Sequence, residues 1–241
     1  MISIIIGVVN RKDYLQEAIE SAVNQSYPHD KYQIVLVTNF KDSMIDAMSR
    51  NYGIDTVFYE EKVRQGKFFS SAIKKSKGDI LCFLDDDAFT LNKLSVVDSI
   101  FTDNVAYYHN GAIHVDNSGK EIGRWLTPPD YNASSISIRK NIIDLDKLSK
   151  INYSIDTFLY LSALESKGEV VVDNNLLTYK RMHNSRSNPQ SREDLEHWGK
   201  EVYKQYKAYR LMFPSVKSQM HMDITERNLI QRMLNNGIKI M

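Results

Sequence analysis

The chain has 241 residues, enough for one domain of generous size or one domain carrying an appendage. Its 31 basic and 30 acidic residues leave a net charge of +1, which excludes nucleic acid as a partner advertised by charge. The single cysteine, Cys82, excludes an intramolecular disulfide and suits a reducing cytosol. No apolar run approaches the ~20 residues of a membrane span, and the N-terminus lacks a signal-peptide pattern. A cytoplasmic protein is expected, with the cytoplasmic face of a membrane as a second station.

Residues 2–9 form a near-continuous β-rich run and read as a buried strand. Asn10 is placed to cap a helix in which Leu15, Ala18, Ile19, Ala22 and Val23 recur at helical spacing, and Pro28 marks its end. A strand over 33–37, a helix over 42–51 ended by Gly53, and a strand over 55–59 follow. A helix over 66–77 then stops at Gly78, before a strand over 79–84. Strands alternating with helices of this length predict βαβ units, a parallel sheet and right-handed crossovers.

After residue 90 the rhythm changes. Leu91, Leu94, Val97, Ile100 and Phe101 mark a helix, and 105–108 and 112–115 read as two strands, with a hairpin turn at Asn117-Ser118-Gly119. Residues 126–133 read as loop, 135–138 as a short strand, and 154–166 as a helix ended by Gly168. Two more strands are expected at 170–172 and 176–179, then a polar loop at 184–194 containing Pro189. Over 195–213, Leu195, Trp198, Val202, Tyr206, Tyr209 and Phe213 share one helical stripe, with Lys200, Lys204, Lys207 and Arg210 off it. A basic aromatic helix suits a membrane surface, whereas such a stripe ordinarily packs on its own domain; both placements stand. A last helix over 224–235 docks likewise or mediates self-association into a homo-oligomer.

The chemistry concentrates in residues 78–88. Five apolar residues, Ile80 to Leu84, run into Asp85, Asp86 and Asp87. In open α/β sheets ligands bind at the C-terminal ends of strands. Adjacent carboxylates repel, and a hard divalent cation neutralises them. Most charge runs are solvated loops; this one directly follows a buried strand, which favours a cation or phosphate site.

The opening Ser3-Ile-Ile-Ile-Gly-Val-Val-Asn-Arg-Lys-Asp-Tyr, its following helix ending in Asn-Gln-Ser-Tyr27, and the 78–88 segment together resemble family 2 glycosyltransferases. The resemblance runs in register over about residues 2–186. It implies an α/β GT-A fold: a Rossmann-like, mostly parallel central sheet flanked by helices. A catalytic domain is then expected at 1–186, with a polar linker and a C-terminal helical extension at 187–241. It also implies transfer of a sugar from a nucleotide-sugar donor to a glycan, lipid-linked or small-molecule acceptor. Asp85 and Asp87 match the family's DXD aspartates and would hold Mg²⁺ or Mn²⁺ on the donor diphosphate, with Asp87 the direct ligand and Asp86 facing the ribose or sugar. Carboxylate and phosphate oxygens are what hard divalent ions prefer.

Asp156, in Tyr153-Ser-Ile-Asp-Thr-Phe-Leu, matches the aspartate that serves as general base in inverting members. An aspartate near a helix N-terminus is also a common stabilising placement. His183 matches a metal or pyrophosphate ligand, and Arg181 or Arg186 a phosphate contact; with Lys180 they make four basic or imidazole groups in one segment. Val8, Asn10, Thr38 and Asn39 fall where the family binds the nucleoside, and Arg64 and Lys67 in a loop that approaches nucleotide and phosphate.

The chain departs from its relatives at three points. Gly7-Val-Val-Asn10 replaces Pro-Thr-Tyr-Asn, Val37-Thr-Asn-Phe40 replaces an Asp-Asp segment that reads the base, and Ile155 replaces a usual Glu. Asn39 can still donate and accept. Two alternatives stay open: a GT-A-like domain that binds nucleotide or glycan without turnover, and a HAD-type phosphatase with Asp85 as nucleophile and Asp87 as acid/base. The second wants Thr or Val where Phe89 stands and usually carries its motif on the first strand.

Overall fold

The apolar run that opens the chain and the run that precedes the aspartates lie side by side. In the computed structural model, which describes residues 1–10, 12–59, 64–182 and 191–240, β1 (Ile2–Val8) pairs in parallel with β4 (Ile80–Leu84) on one side. On its other side it pairs in parallel with β2 (Tyr32–Thr38), and β3 (Asp55–Phe58) continues the parallel set. Helices α1 (Leu15–Val23), α2 (Ser43–Tyr52) and α3 (Gln65–Lys75) make the connections, as the alternating pattern requires.

Every residue of β2 and β4 is buried, because helices cover both faces of the sheet. Strand periodicity divides their side chains between two cores. Leu81 and Phe83 join Ile5, Val35 and Val37 under α3 and α6 (Ile155–Glu165). Ile80, Cys82 and Leu84 join Ile4, Ile6 and Leu36 under α1, α2 and α4 (Lys93–Ile100). Cys82 is fully buried, its Sγ 3.3 Å from Ser137 Oγ, and burial pushes its thiol up. Gly78 admits the closest chain approach at the start of β4: a Cβ there would lie 2.6 Å from the backbone of Ile2 and Ser3.

Beyond β4 the sheet is mixed. β8 (Ile136–Arg139) runs antiparallel to β4 and to β6 (Val105–Val115); β6 is parallel to β9 (Glu169–Arg181) and antiparallel to β7 (Glu121–Trp125). Short β5 (Ala88–Phe89) closes against β9. The order is β3-β2-β1-β4-β8-β6-β9-β5, with β7 on β6. The α/β class is as expected, parallel through its first half.

Several local expectations are corrected. The strands read at 105–108 and 112–115 are one, as are those at 170–172 and 176–179. Polar residues interrupt both patterns at the same level, and register shifts between β6 and β9 near His109 and Gly111 absorb the irregularity. The turn at 117–119 exists, with Gly119 at φ +82°, but it leads into β7, which no alternation announced. Asn10 does not cap α1; it takes a left-handed φ of 57° and turns to Asn39.

The stripe on α7 (Arg192–Met212) is spent on packing: Leu195, Val202, Tyr206 and Tyr209, with Phe213 just beyond, are buried in the same core as Ile5 and Phe83. Helix α8 (Val216–Asn235) packs beside it and begins earlier than read, because Ser215 accepts from the Ser218 N–H and caps it. The apolar side chains left exposed in this region are others: Leu211, Val216, Met220, Ile224 and Leu234. No helix among the described residues is long and apolar enough to cross a membrane.

Candidate active site

Parallel pairing brings the C-terminal ends of β1, β2 and β4 to one edge, with Val8 opposite Thr38 and Ile6 opposite Leu84. Val8 and Thr38 are buried in their strand ends. The next residues hold one another across the edge. Asn39 Nδ2 donates to Asn10 Oδ1 at 2.6 Å, and the Asn10 N–H donates to Asn39 Oδ1 at 2.9 Å. Asparagine tolerates the left-handed backbone this requires at position 10. Two of the four residues expected at the nucleoside, Asn10 and Asn39, are thus brought together as a pair.

Arg64 precedes the first turn of α3 and Lys67 lies within it, both exposed. That turn is fixed to the start of α6. The Gly66 N–H donates to Ile151 O at 3.1 Å, and the Ile155 N–H donates to Gln65 Oε1 at 3.2 Å. A Cβ on Gly66 would stand 1.7 Å from Leu148 O, in the four-residue helix α5 (Leu145–Leu148), so only glycine fits. The segment carrying Arg64 and Lys67 is therefore tied to the segment carrying Asp156.

Asp85 and Asp86 are half-buried and Asp87 is buried. Asp87 Oδ1 accepts the Arg181 backbone N–H at 2.8 Å. The Arg181 guanidinium turns elsewhere: it pairs with Glu17, donates to Asp116 O at 3.1 Å, and lies 4.1 Å from the Tyr14 ring. Arg181 thus serves Asp87 through its backbone N–H. The Asp85 N–H donates to Ser134 Oγ at 3.2 Å. Ser134 O accepts from Thr178 Oγ1 at 2.9 Å, which accepts from Asn110 Nδ2 at 3.1 Å. Asn110 Oδ1 takes Lys93 Nζ. Lys93 is fully buried, and burial pushes its ammonium down to about 8. Sequence reading missed this support, since Lys93 looks like an ordinary first-turn lysine.

His183 and Arg186 lie outside the described residues, as do 187–190 of the expected linker. Among the described residues no three His, Cys, Asp or Glu side chains converge as a metal cage. Magnesium-type sites need no such cage: they commonly use one or two carboxylates and complete their shell with phosphate oxygens and water. The donor set at Asp85 and Asp87, two carboxylates at the end of one buried strand, fits an ion shared with a diphosphate.

Asp156 stands in the first turn of α6. Before it, Ser154 takes a left-handed φ of 58°, and Tyr209 Oη donates to the carbonyls of both Tyr153 (2.8 Å) and Ser154 (2.9 Å). The strained entry to the helix is held by a side chain of α7. Asp156 Oδ1 accepts its neighbour's N–H, from Thr157, at 3.0 Å. Burial, and after it the nearby Asp130 carboxylate, push the Asp156 carboxyl up to about 6, while Lys180 pulls the other way. Lys180 Nζ sits 3.7 Å from the Tyr131 ring centroid. Asp130 and Ser134 belong to one segment, 126–135, which therefore reaches from the Asp85 end of the site to the Asp156 end.

A family model described as glycosyl transferase family 2 matches residues 3–126. An uncharacterised glycosyltransferase of Rickettsia typhi is 33% identical over 97 residues, 39% of this chain and 30% of that protein. The UDP-Glc:alpha-D-GlcNAc-diphosphoundecaprenol beta-1,3-glucosyltransferase WfaP of Escherichia coli is 26% identical over 205 residues, 76% of this chain and 78% of that one. The chain spans no more than about a third of two rickettsial relatives, 30% and 18% of their lengths. Among solved structures, S. aureus TarS 1–349 in complex with UDP-GlcNAc superposes with a TM-score of 0.64 at 15% identity, covering 85% of this chain and 66% of that one. The mannosyltransferase PcManGT from Pyrobaculum calidifontis, in complex with GDP-Man and Mn²⁺, gives 0.63 at 12%, covering 95% and 71%. At these identities the likeness carries the fold.

Proposed function

The chain belongs to glycosyl transferase family 2, and on that footing we propose that it moves a sugar from a nucleotide-sugar donor to an acceptor hydroxyl, with inversion, using Asp156 as general base. The observation that carries this reading is the carboxyl of Asp156, held near neutrality at about 6 in the first turn of a helix tied to α3. A base poised near working pH is what proton removal from a hydroxyl requires. The acceptor oxygen bonds to the anomeric carbon on the face opposite the leaving group. The bond from that carbon to the diphosphate oxygen breaks, its electron pair leaves with the nucleoside diphosphate, and Asp156 takes the hydroxyl proton.

Asp85 and Asp87 would hold Mg²⁺ or Mn²⁺, with His183 as a further ligand; when bound, the ion neutralises charge building on the departing diphosphate. Support comes from the Mn²⁺ in the mannosyltransferase structure and from the donors bound in both solved neighbours. Arg64 and Lys67 face phosphate in this reading, the Asn10–Asn39 pair offers the nucleoside both a donor and an acceptor, and Asp86 faces the ribose or sugar. Residues 1–186 form the catalytic domain, and the acceptor is a glycan, a lipid-linked sugar or a small molecule. The phosphatase alternative for Asp85 and Asp87 falls with the family match.

The test is transfer or donor hydrolysis with UDP-glucose, UDP-N-acetylglucosamine and GDP-mannose in the presence of Mn²⁺. Asp156→Asn should lower kcat on the best donor by about 10²–10⁴ while donor-induced thermal stabilisation persists, and chelation should abolish turnover. Full activity in Asp156→Asn would remove the general-base assignment. Donor binding with no turnover in the unmodified chain would favour a binding domain.

A further inference from the structure

The acceptor end of the site holds a second carboxylate, and its position is set from the far end of the chain. Asp130 Oδ2 lies 2.9 Å from His221 Nε2 and 3.3 Å from Thr225 Oγ1, both on α8. Thr225 Oγ1 and His221 Nε2 are themselves 3.2 Å apart, and the His221 ring packs edge-on against Tyr160 of α6, centroids 4.7 Å apart. The Asp130 side chain is only 11% exposed. Its loop is pinned on the other side, where Pro129 O accepts the Tyr107 hydroxyl and Tyr131 O lies 2.9 Å from His109 Nε2. Asp130 O also makes a long 3.5 Å contact with the hydroxyl of Thr157, the residue after Asp156.

We propose that Asp130 is a positioning residue for the acceptor half of the site, a fixed second carboxylate beside Asp156 whose place is set from the C-terminal helix by His221 and Thr225. The inference rests on the reading of Asp156 as base and adds what keeps that base tuned. A nearby like charge disfavours ionisation, so Asp156 gains proton affinity from Asp130. Among the described residues no other neighbour supplies this charge. The phenols of Tyr107, Tyr160, Tyr206 and Tyr209 are all pushed above their ordinary range and stay neutral at working pH. His109 is pushed down to about 4 and is also neutral there, and Lys180 opposes the effect. Residues 216–235 are then part of the working site.

Carboxyl NMR of the full chain labelled with [¹³C]aspartate tests this without a substrate; the Asp156 signal is assigned by its loss in Asp156→Asn. We expect a midpoint near 6 in the unmodified chain, lowered by roughly one pH unit in Asp130→Asn and largely kept in Asp130→Glu. His221→Gln and Thr225→Val leave the Asp130 charge in place but unheld, and should lower the midpoint by less; they serve also if Asp130→Asn fails to fold. The same shift should appear in the acid limb of the kcat–pH profile with the donor that turns over. An Asp156 signal at 6 that none of these variants moves overturns the inference and leaves the base assignment standing. Retained transfer in Asp156→Asn with loss in Asp130→Asn overturns both and makes Asp130 the base.

Discussion

Ionised Asp156 works against the fold that holds it. Its carboxyl binds a proton more tightly in the folded chain, at about 6, than an ordinary aspartate at 3.8. The protonated residue therefore favours the folded state below about pH 4, and that contribution is lost as pH rises through 6. Discounted for partial solvent contact, the neutral-pH cost is about 1–2 kcal/mol. Asp156→Asn should accordingly melt about 2–8 °C higher at pH 7.5, with the gain vanishing near pH 4; an unchanged melting point at both pH values would mean the carboxylate is well solvated. The residue that carries this tension was readable from its motif, as were Asp85 to Asp87, because each stands beside a recognisable local pattern. Asp130 was not, since its partners His221 and Thr225 lie 91 and 95 residues further on. The Asn10–Asn39 pair was half readable: both residues were singled out, but their bond depends on the parallel register of β1 and β2.

Helices α7 and α8 act as a brace behind α6. Tyr209 Oη satisfies two carbonyls at the strained entry to that helix. Tyr209→Phe keeps the ring in the core but takes the hydroxyl from Tyr153 O, while Ser154 O keeps the Phe158 N–H at 3.1 Å, at a cost of about 1–2 kcal/mol. Because the helix entry positions Asp156, kcat should fall more than KM rises; equal changes in the two would show that the brace serves stability alone. The apolar stripe of α7 was legible from its period, and burial is the placement it takes. The long strands β6 and β9 were not, because each carries polar residues in mid-run. His109, Asn110 and Asp173 sit there for tertiary reasons: Asn110 receives Lys93, and Asp173 receives the Tyr108 hydroxyl at 2.9 Å. An alternation rule that scores only hydropathy breaks such strands in two.

Over the whole molecule, the parallel half announced itself through repeated strand-helix alternation, while the mixed half depends on pairings no local pattern encodes. That second half also holds two buried histidines that tie the stability of the fold to pH. Burial holds His109 and His114 neutral down to about 4, below an ordinary histidine at 6.5. Both histidines therefore contribute stability above pH 6.5 that is lost as pH falls from there to about 4. The melting temperature should drop across that window, and His109→Gln with His114→Gln should flatten the drop; an unaltered curve in the double variant would assign acid lability to other groups.

Cys82 gives the molecule a reporter of its own. The only thiol in the chain lies in β4, between β1 and β8, fully enclosed and with its proton held more tightly than usual. A reagent reaches it only when the centre of the sheet parts, so its labelling rate in native buffer counts whole-molecule openings rather than surface breathing. Labelling should be slow, follow the unfolding free energy as urea is raised, and slow further when donor and Mn²⁺ are added; fast labelling insensitive to urea would reveal a local route into the sheet. Tagging this one sulfur would let donor affinity be read from an opening rate, before any acceptor is known.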